Sequence, residues 1–361
     1  MRKIYKALGL MSGTSVDGLD IAYCEFSFEK AWSFTLKFAE TFPYDSIWKE
    51  RLTRITETPA DELAWIDIEL GKLFGSYARS FIDKHNLKPD LIASHGHTVF
   101  HQPARGFTMQ IGSGYEIMKA CKTIVVNDFR SLDVSLGGQG APLVPVGDEK
   151  LFHEYDFCLN LGGICNVSFD LNGKRVAFDI AACNIVLNKL AQELGAEYDP
   201  AGQFSREGKI DERMLEYLND LNYYKMPFPK SLGIEYIREK IFPIIDGFKI
   251  PGRDKLATYA HHLALQIDLT VKSYLPSERS ARLLVTGGGA HNLRLLELLK
   301  DMSGGNYTVE TPDANLINFK EALIFAFLGV LRIRNETNVY SSVTGAVSDS
   351  CSGIIYDHLI L

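Results

Sequence analysis

Three groups of side chains in this 361-residue chain have types and spacings that could do chemistry. The first is a run of small and acidic residues, Gly13, Thr14, Ser15, Val16, Asp17, Gly18, Leu19 and Asp20, inside MSGTSVDGLD. Apolar runs enter it (Ile4, Ala7, Leu8, Leu10) and leave it (Ile21, Ala22, Tyr23), so it reads as strand, tight turn, strand. A turn built of Gly, Ser and Thr leaves backbone N–H groups and hydroxyls open, and such groups wrap phosphate oxygens. Asp17 and Asp20 put carboxylates where a magnesium ion or its waters would sit. An ordinary hairpin turn with two solvated aspartates fits the same letters.

The second group is the ionisable residues at strand ends. Asp179 lies in RVAFDIAA, just before a helical pattern that begins at Asn184. A helix N-terminus favours an ionised carboxylate, and an ionised Asp is a candidate general base; a plain helix cap is the alternative. His95, His97 and His101 crowd into SHGHTVFHQP behind the buried strand PDLIASH. Imidazole suits zinc, but no Cys or carboxylate completes a set, which favours a hydrogen-bonding loop in a cleft. Asp128 and Arg130 end the strand TIVVND, as functional groups or as a structural ion pair. Glu321 opens the apolar helical run Ala322–Leu331, where it either caps the first turn or faces a cleft.

The third group is glycines. FCLNLGGICNVSFD repeats the first pattern, with strands Phe157–Leu161 and Cys165–Phe169 around a Gly162–Gly163 turn. The echo suggests a duplicated architecture whose two turns grip one polyphosphate; two unrelated hairpins is the plainer account. Gly287, Gly288 and Gly289 join a buried strand to a helix, an arrangement that lets a flat ring such as adenosine lie against backbone beside a helix N-terminus. Gly137, Gly138 and Gly140, with Pro142 and Pro145, mark an irregular segment, expected as the hinge between two lobes.

The elements that must position these groups are legible from periodicity. Leu63, Ile66, Leu70, Leu73, Tyr77 and Phe81 recur at steps of three and four and predict one long helix with a core face. Leu256, Ala260, Leu263, Ile267 and Val271 predict another, with His261 and His262 as neighbours of its stripe. The composition, 46% hydrophobic and 23% charged, is that of a globular chain of about two domains. A net charge of -7 without a basic patch argues against nucleic acid as a partner. The six cysteines form no CxxC pair, so free thiols and a reducing, cytoplasmic compartment are expected. MRKIYKALGL runs straight into the first turn, so no signal peptide is expected, and no apolar run is long enough for a membrane span.

MSGTSVDGLD, SHGHTVFHQP, NDFRSLDVSLGGQGAPLVP, LNLGGICNVS, TGGGAHN and the SVTGA tail occur together and in order. Together they resemble the anhydro-N-acetylmuramic acid kinases, part of the actin, sugar-kinase and Hsp70-like superfamily. The resemblance implies an α/β fold of two RNase H-like lobes around a central nucleotide cleft, here 1–134 and 135–361, with the tail from about 340 packing back on the first lobe. It implies ATP and Mg2+ as cofactors and a reaction in which water opens 1,6-anhydro-N-acetylmuramic acid while ATP phosphorylates it, in cell-wall recycling. On this chain Gly13 to Asp20 and Gly162–Gly163 would hold phosphates, with Asp17 and Asp20 near the metal, and Gly287 to Gly289 would lie on adenosine. Asp179 would activate water. His95, His97, His101, Arg130, Asn184 and Glu321 would line the sugar side, Arg130 matching the lactyl carboxylate by charge. A homodimer is common among look-alikes. The family commonly reads FDTGPGN around its catalytic Asp, whereas Ile180-Ala181-Ala182-Cys183 replaces TGPG here, so this loop is expected to take another shape. That departure keeps two other readings open: a kinase of a different anhydro or amino sugar, and a binding homologue with reduced turnover. His97 stands where Gln is frequent in the family.

Overall fold

In this computed structural model, residues 3–13, 15–276 and 279–357 are described. Alternating apolar runs become β1 (Ile4–Ser12), β2 (Gly18–Phe28), β3 (Trp32–Pro43), β4 (Leu91–Gln102), β5 (Phe107–Ile111) and β6 (Ile124–Asn127). Next come β7 (Phe157–Leu161), β8 (Ile164–Leu171), β9 (Lys174–Ala182), β10 (Ala281–Thr286), β11 (Tyr307–Glu310) and, near the end, β12 (Ile354–Tyr356). They form two mixed sheets, one ordered β12-β6-β4-β1-β2-β3 with β5 added to β4, the other β11-β10-β7-β8-β9. The fold is mixed α/β. Among the described residues no helix is long and apolar enough to cross a membrane.

The chain divides into two compact units, one of residues up to Leu151 and from Phe319 onward, the other Phe152–Asn318. The expected boundary after 134, with only the last twenty residues returning, is therefore corrected. The reason is packing within the first unit. A Cβ on Gly147 would meet Ile324 at 2.6 Å, Lys320 and Asp148 make a buried 2.7 Å ion pair, and Tyr340 bonds Glu149. Residues 135–151 are thus tied to the C-terminal helix, and the glycine-rich segment 137–140 lies inside a unit.

In the first unit the residues of β1 alternate between two faces. Leu8 and Leu10 pack with Ile66, Leu70, Phe74 and Phe81 of the helix Ala60–Lys84. Gly9 points the other way, and a Cβ there would lie 1.8 Å from the carbonyl oxygen of Ala322, so only glycine lets the helix Ala314–Ile333 reach the sheet. From Ala322 to Leu331 that helix is apolar and buried, as packing from several sides requires, and Asp313 caps it by accepting from Leu316 N at 3.0 Å. Glu321 is therefore two turns inside the helix, which corrects its reading as a first-turn residue. In the second unit Leu159, Leu161, Val167 and Phe169 pack with Leu256, Tyr259, Leu263 and Ile267 of the helix Gly252–Ser273. His262 is fully buried there between Asn219 and Tyr224, a core histidine.

Candidate active site

The first hairpin opens where its ladder ends, at the pair Ser12–Leu19. Within its loop Val16 N donates to Gly13 O at 3.3 Å, and Tyr44 N donates to Asp17 O at 3.1 Å. Gly18 is required by close approach, since a Cβ would lie 2.4 Å from the carbonyl oxygen of Phe42. Val16 sits at φ +58°, a strained conformation for a β-branched residue. Ser15 and Asp17 are exposed, whereas Leu19 is a core residue whose side chain is fully buried. Thr14 lies outside the described residues. Asp20 accepts from Thr41 Oγ1 at 2.5 Å; burial raises its pKa, Thr41 opposes this, and Asp17 adds to it.

Beside this hairpin runs β4. His95 is on the strand as expected; the strand continues through His97, expected in a loop, and His101 lies near its exposed end. Each ring has a structural partner. Tyr44 Oη donates to Ser12 Oγ at 2.7 Å, and Ser12 Oγ lies 3.0 Å from His97 Nδ1. The Ser12 hydroxyl, which accepts from Tyr44, can either donate to His97 Nδ1 or accept a second bond from it, according to the tautomer. Burial lowers the His97 pKa to about 4, so the ring is neutral near pH 7. His95 lies between Gly96 O, 3.0 Å from Nδ1, and Arg130 Nε, which donates to Nε2 at 2.9 Å. A carbonyl only accepts and a guanidinium only donates, so His95 is the neutral Nδ1–H tautomer. Burial, then Arg130, depress its pKa. His101 Nδ1 pairs with Thr108 Oγ1 at 3.1 Å. Among the described residues no group of three or more His, Cys, Asp or Glu is placed to hold a metal, so the zinc alternative has no ligand set.

Arg130 also donates through Nη1 to Gly140 O at 2.6 Å. These two bonds use two of its five N–H donors. Burial lowers its pKa to about 10, Glu321 opposing, and it remains a cation at neutral pH. The ion pair with Asp128 does not form; Asp128 turns to the backbone and accepts from Ser131 N at 3.1 Å. Glu321 keeps an exposed side chain, yet surrounding protein atoms strip enough water from it to raise its pKa, Arg130 opposing and Asp20 adding. The first unit thus brings together the loop, Arg130, Glu321 and the imidazoles.

In the second unit Asp179 is inside β9, paired with Asn166 of β8, and not at a helix start. Its pKa is raised, not lowered: burial dominates, and bonds from Leu232 N (2.8 Å to Oδ2) and Ser231 oppose it. Tyr223 Oη anchors its carbonyl at 2.7 Å. Residues Ile180–Ala182 complete β9, and Cys183 follows it. Ala181 pairs Cys165 and Ala182 pairs Ile164, with no positive φ at any of the four positions. Cys183, Asn184 and Ile185 N then donate to the carbonyls of Gly162 and Gly163 at 2.9 to 3.3 Å. Asn184 Nδ2 donates to Leu161 O at 2.9 Å. Its side chain lines a cavity of about 360 Å³ with Gly288, Gly289, Tyr198, His291 and Asn292. Gly287, at φ +81°, closes the turn: a Cβ there would lie 2.4 Å from Asn160 Oδ1.

A model of the family described as anhydro-N-acetylmuramic acid kinase matches residues 5–358. This chain belongs to the anhydro-N-acetylmuramic acid kinase family. The anhydro-N-acetylmuramic acid kinase of Photobacterium profundum is 33% identical over 377 residues, covering 98% of this chain and 99% of its own. That of Haemophilus influenzae is 32% identical over 375 residues, with 97% of each covered. Among solved structures, a ROK hexokinase from Thermus thermophilus is similar with a TM-score of 0.39 at 12% identity, over 91% of this chain and 100% of that one. Anhydro-N-acetylmuramic acid kinases are ATP-dependent sugar kinases of peptidoglycan recycling, and this chain is one of them. Several residues beside the candidate site escaped sequence reasoning. Ser12 reads as the first residue of the loop but ends β1 beside His97, and Tyr44 reads as a strand residue until its bond to Ser12 reveals it. Tyr198 and His291 reach one cavity from segments about ninety residues apart. Ser231 had one signal, its place in the Gly- and Pro-bearing loop FPKSLG.

Proposed function

We propose that Asp179 is the general base of a hydrolytic phosphorylation of 1,6-anhydro-N-acetylmuramic acid. Its carboxylate takes a proton from water, and the water oxygen attacks the anomeric carbon. The bond from that carbon to the bridging oxygen breaks, and the bridging oxygen, now O6, takes the γ-phosphoryl group of ATP. The observation that carries this reading is the Asp179 carboxylate itself. It is held by Leu232 N and Ser231, and burial makes it a stronger base than a solvated Asp.

The remaining roles follow the chemistry of each group. Arg130, with three N–H donors uncommitted, suits the lactyl carboxylate, because a guanidinium fork matches a carboxylate. His97, with its neutral ring, His101 and Glu321 line the sugar side. His95 is a positioning residue for Arg130. The loop Gly13–Asp20 takes phosphate oxygens. In a trans peptide N–H points opposite to C=O, so the amides of Gly163 and Ile164 point away from the carbonyl partners at Cys183–Ile185 and are open to phosphate. Adenosine fits the cavity beside Gly288, Gly289 and Asn184, which moves Asn184 to the nucleotide side. Asp17 and Asp20 would hold Mg2+. Asp20 is raised partly by Asp17, a repulsion that a cation relieves, and a magnesium site needs only one or two carboxylates besides phosphate oxygens. Bound magnesium supplies charge neutralisation of the phosphates.

Six free cysteines, five of them buried, agree with a cytoplasmic enzyme; a homodimer is the proposed assembly, read by sedimentation. The test of the function is ADP release from MgATP with and without the anhydro sugar, with mass spectrometry of the product. Sugar-dependent ADP and a product heavier by one phosphoryl group and one water are expected. A product that gains the phosphoryl group without the water would remove Asp179 from the base role.

A further inference from the structure

The SVTGA tail and the segment Asp133–Gly140 have no part in the roles above, yet hydrogen bonds link them to Arg130. Asp133 is 1% exposed. Its Oδ1 accepts from Thr344 Oγ1 at 2.7 Å, and its Oδ2 accepts from Gly140 N at 2.7 Å. Its carbonyl accepts from Gly138 N at 2.9 Å. The carboxylate packs so closely that a Cβ on Gly138 would lie 2.2 Å from Oδ2. Thr344 is 2% exposed and also takes Gln139 N on its own carbonyl at 2.8 Å, while Val347 N reaches Leu136 O at 3.0 Å. Gly140 O, on the turn held in this way, accepts from Arg130 Nη1 at 2.6 Å. Gly140 needs its φ of +67° to do so.

We propose that Thr344 and Asp133 are positioning residues for sugar recognition: the C-terminal tail sets the Arg130 fork through Asp133 and Gly140. The inference rests on the reading of Arg130 as the lactyl-carboxylate group. A guanidinium with Nε fixed by His95 and Nη1 by Gly140 cannot swing, so its remaining donors are pre-aimed, and a carboxylate binds without first ordering a long side chain. Thr344→Val keeps the shape and removes the donor, leaving Asp133 Oδ1 buried without its partner; such a loss is worth about a tenfold change in an equilibrium.

The test is a double-variant cycle of Thr344→Val and Arg130→Lys, with folding checked by thermal denaturation. Thr344→Val is expected to raise KM for the anhydro sugar about tenfold, with kcat and the KM for ATP within about twofold. Thr344→Ser should restore the wild-type value. In the Arg130→Lys background, Thr344→Val should add little, because both changes act on one group. Independent, multiplying effects, or a sugar KM unmoved by Thr344→Val, would overturn the clamp. A sugar KM unmoved by Arg130→Lys would instead overturn the carboxylate reading. Should Thr344→Val fail to fold, Asp133→Asn in the same cycle gives the same decision.

Discussion

The two hairpins look alike as letters and differ as objects. The first, β1–β2, ends in a five-residue loop held by a 3.3 Å internal bond and by Tyr44 N on Asp17 O. The second, β7–β8, ends in Gly162–Gly163, whose carbonyls take three N–H groups from the start of the helix Asn184–Gln192. Its strand end also carries Asn184 on Leu161 O, and the Gly287–Gly289 turn lies against Asn160 and Leu161. Small residues therefore serve two purposes. In the first hairpin Gly18 lets β2 close on the Phe42 backbone while the loop keeps strain at Val16; beside the second, Gly287 and Gly289 let their turn approach the Leu161 backbone. The first is the loop proposed to take phosphate, and the second is a floor that fixes its surroundings, among them the helix start that follows β9 and Asp179.

The largest effect expected tests what the second hairpin fixes. Asp179→Asn should cut kcat by about 10²–10⁴-fold, the usual worth of a general base, while ATP still binds. In the wild type the rate should rise with pH through an Asp179 pKa above the ordinary carboxylate value, because the base works only when deprotonated. The Asn variant should lose that acid limb, and a retained limb would assign it to another group. Gly287→Ala should come next. It forces a positive φ on alanine and a Cβ into Asn160 and Leu161, a strain of about 1–3 kcal/mol. Calorimetric titration should show ATP affinity down about tenfold or more, and unchanged affinity would mean that the floor is looser than its contacts imply.

Val16→Gly probes the other hairpin. Relief of the strain at φ +58° offsets the added chain entropy of glycine, so the thermal midpoint should stay within a few degrees. The KM for ATP should rise a few-fold, because a loop with more freedom pays more to order around phosphate. A fall in stability like that of a core variant would show that this loop is as closely fixed as the other.

How much of this was legible in the sequence depends on the range of each interaction. Strands, turns and the apolar face of the helix Ala60–Lys84 are local patterns, and they appear where periodicity puts them. The motifs marked the site-bearing stretches. What they could not give was partners. Arg130 bonds His95, thirty-five residues away, and leaves its neighbour Asp128 to the backbone. Asp133 meets Thr344, 211 residues on, so its letters read as an ordinary helix carboxylate. Asp179 drew the wrong electrostatic expectation, because it lies inside β9, three residues before the strand ends at Ala182, and burial rather than a helix terminus is the dominant influence. The unit boundary failed for the same reason, since long-range packing of Gly147 on Ile324 decided it.

The smallest effect concerns the root of the first hairpin, where hydrogen bonds link Tyr44, Ser12 and His97. The folded pKa of His97 is about 4 against an ordinary 6.5. Between those values the unfolded chain takes up a proton that the folded protein refuses, so stability falls as pH drops from 6.5 and the contribution is lost below 4. Glutamine at 97 does not titrate but can still accept from Ser12. His97→Gln should therefore lose about 2 kcal/mol less than the wild type between pH 7.5 and pH 5, read by urea unfolding at the two pH values. His95 and His262, also depressed by burial, keep their share of the acid sensitivity in both proteins, so the variant's slope shrinks without vanishing. An unchanged slope would mean that the His97 ring protonates in place. Ser12 would then accept from Nδ1–H, and the contact at the root of the first hairpin would survive with that bond pointing the other way.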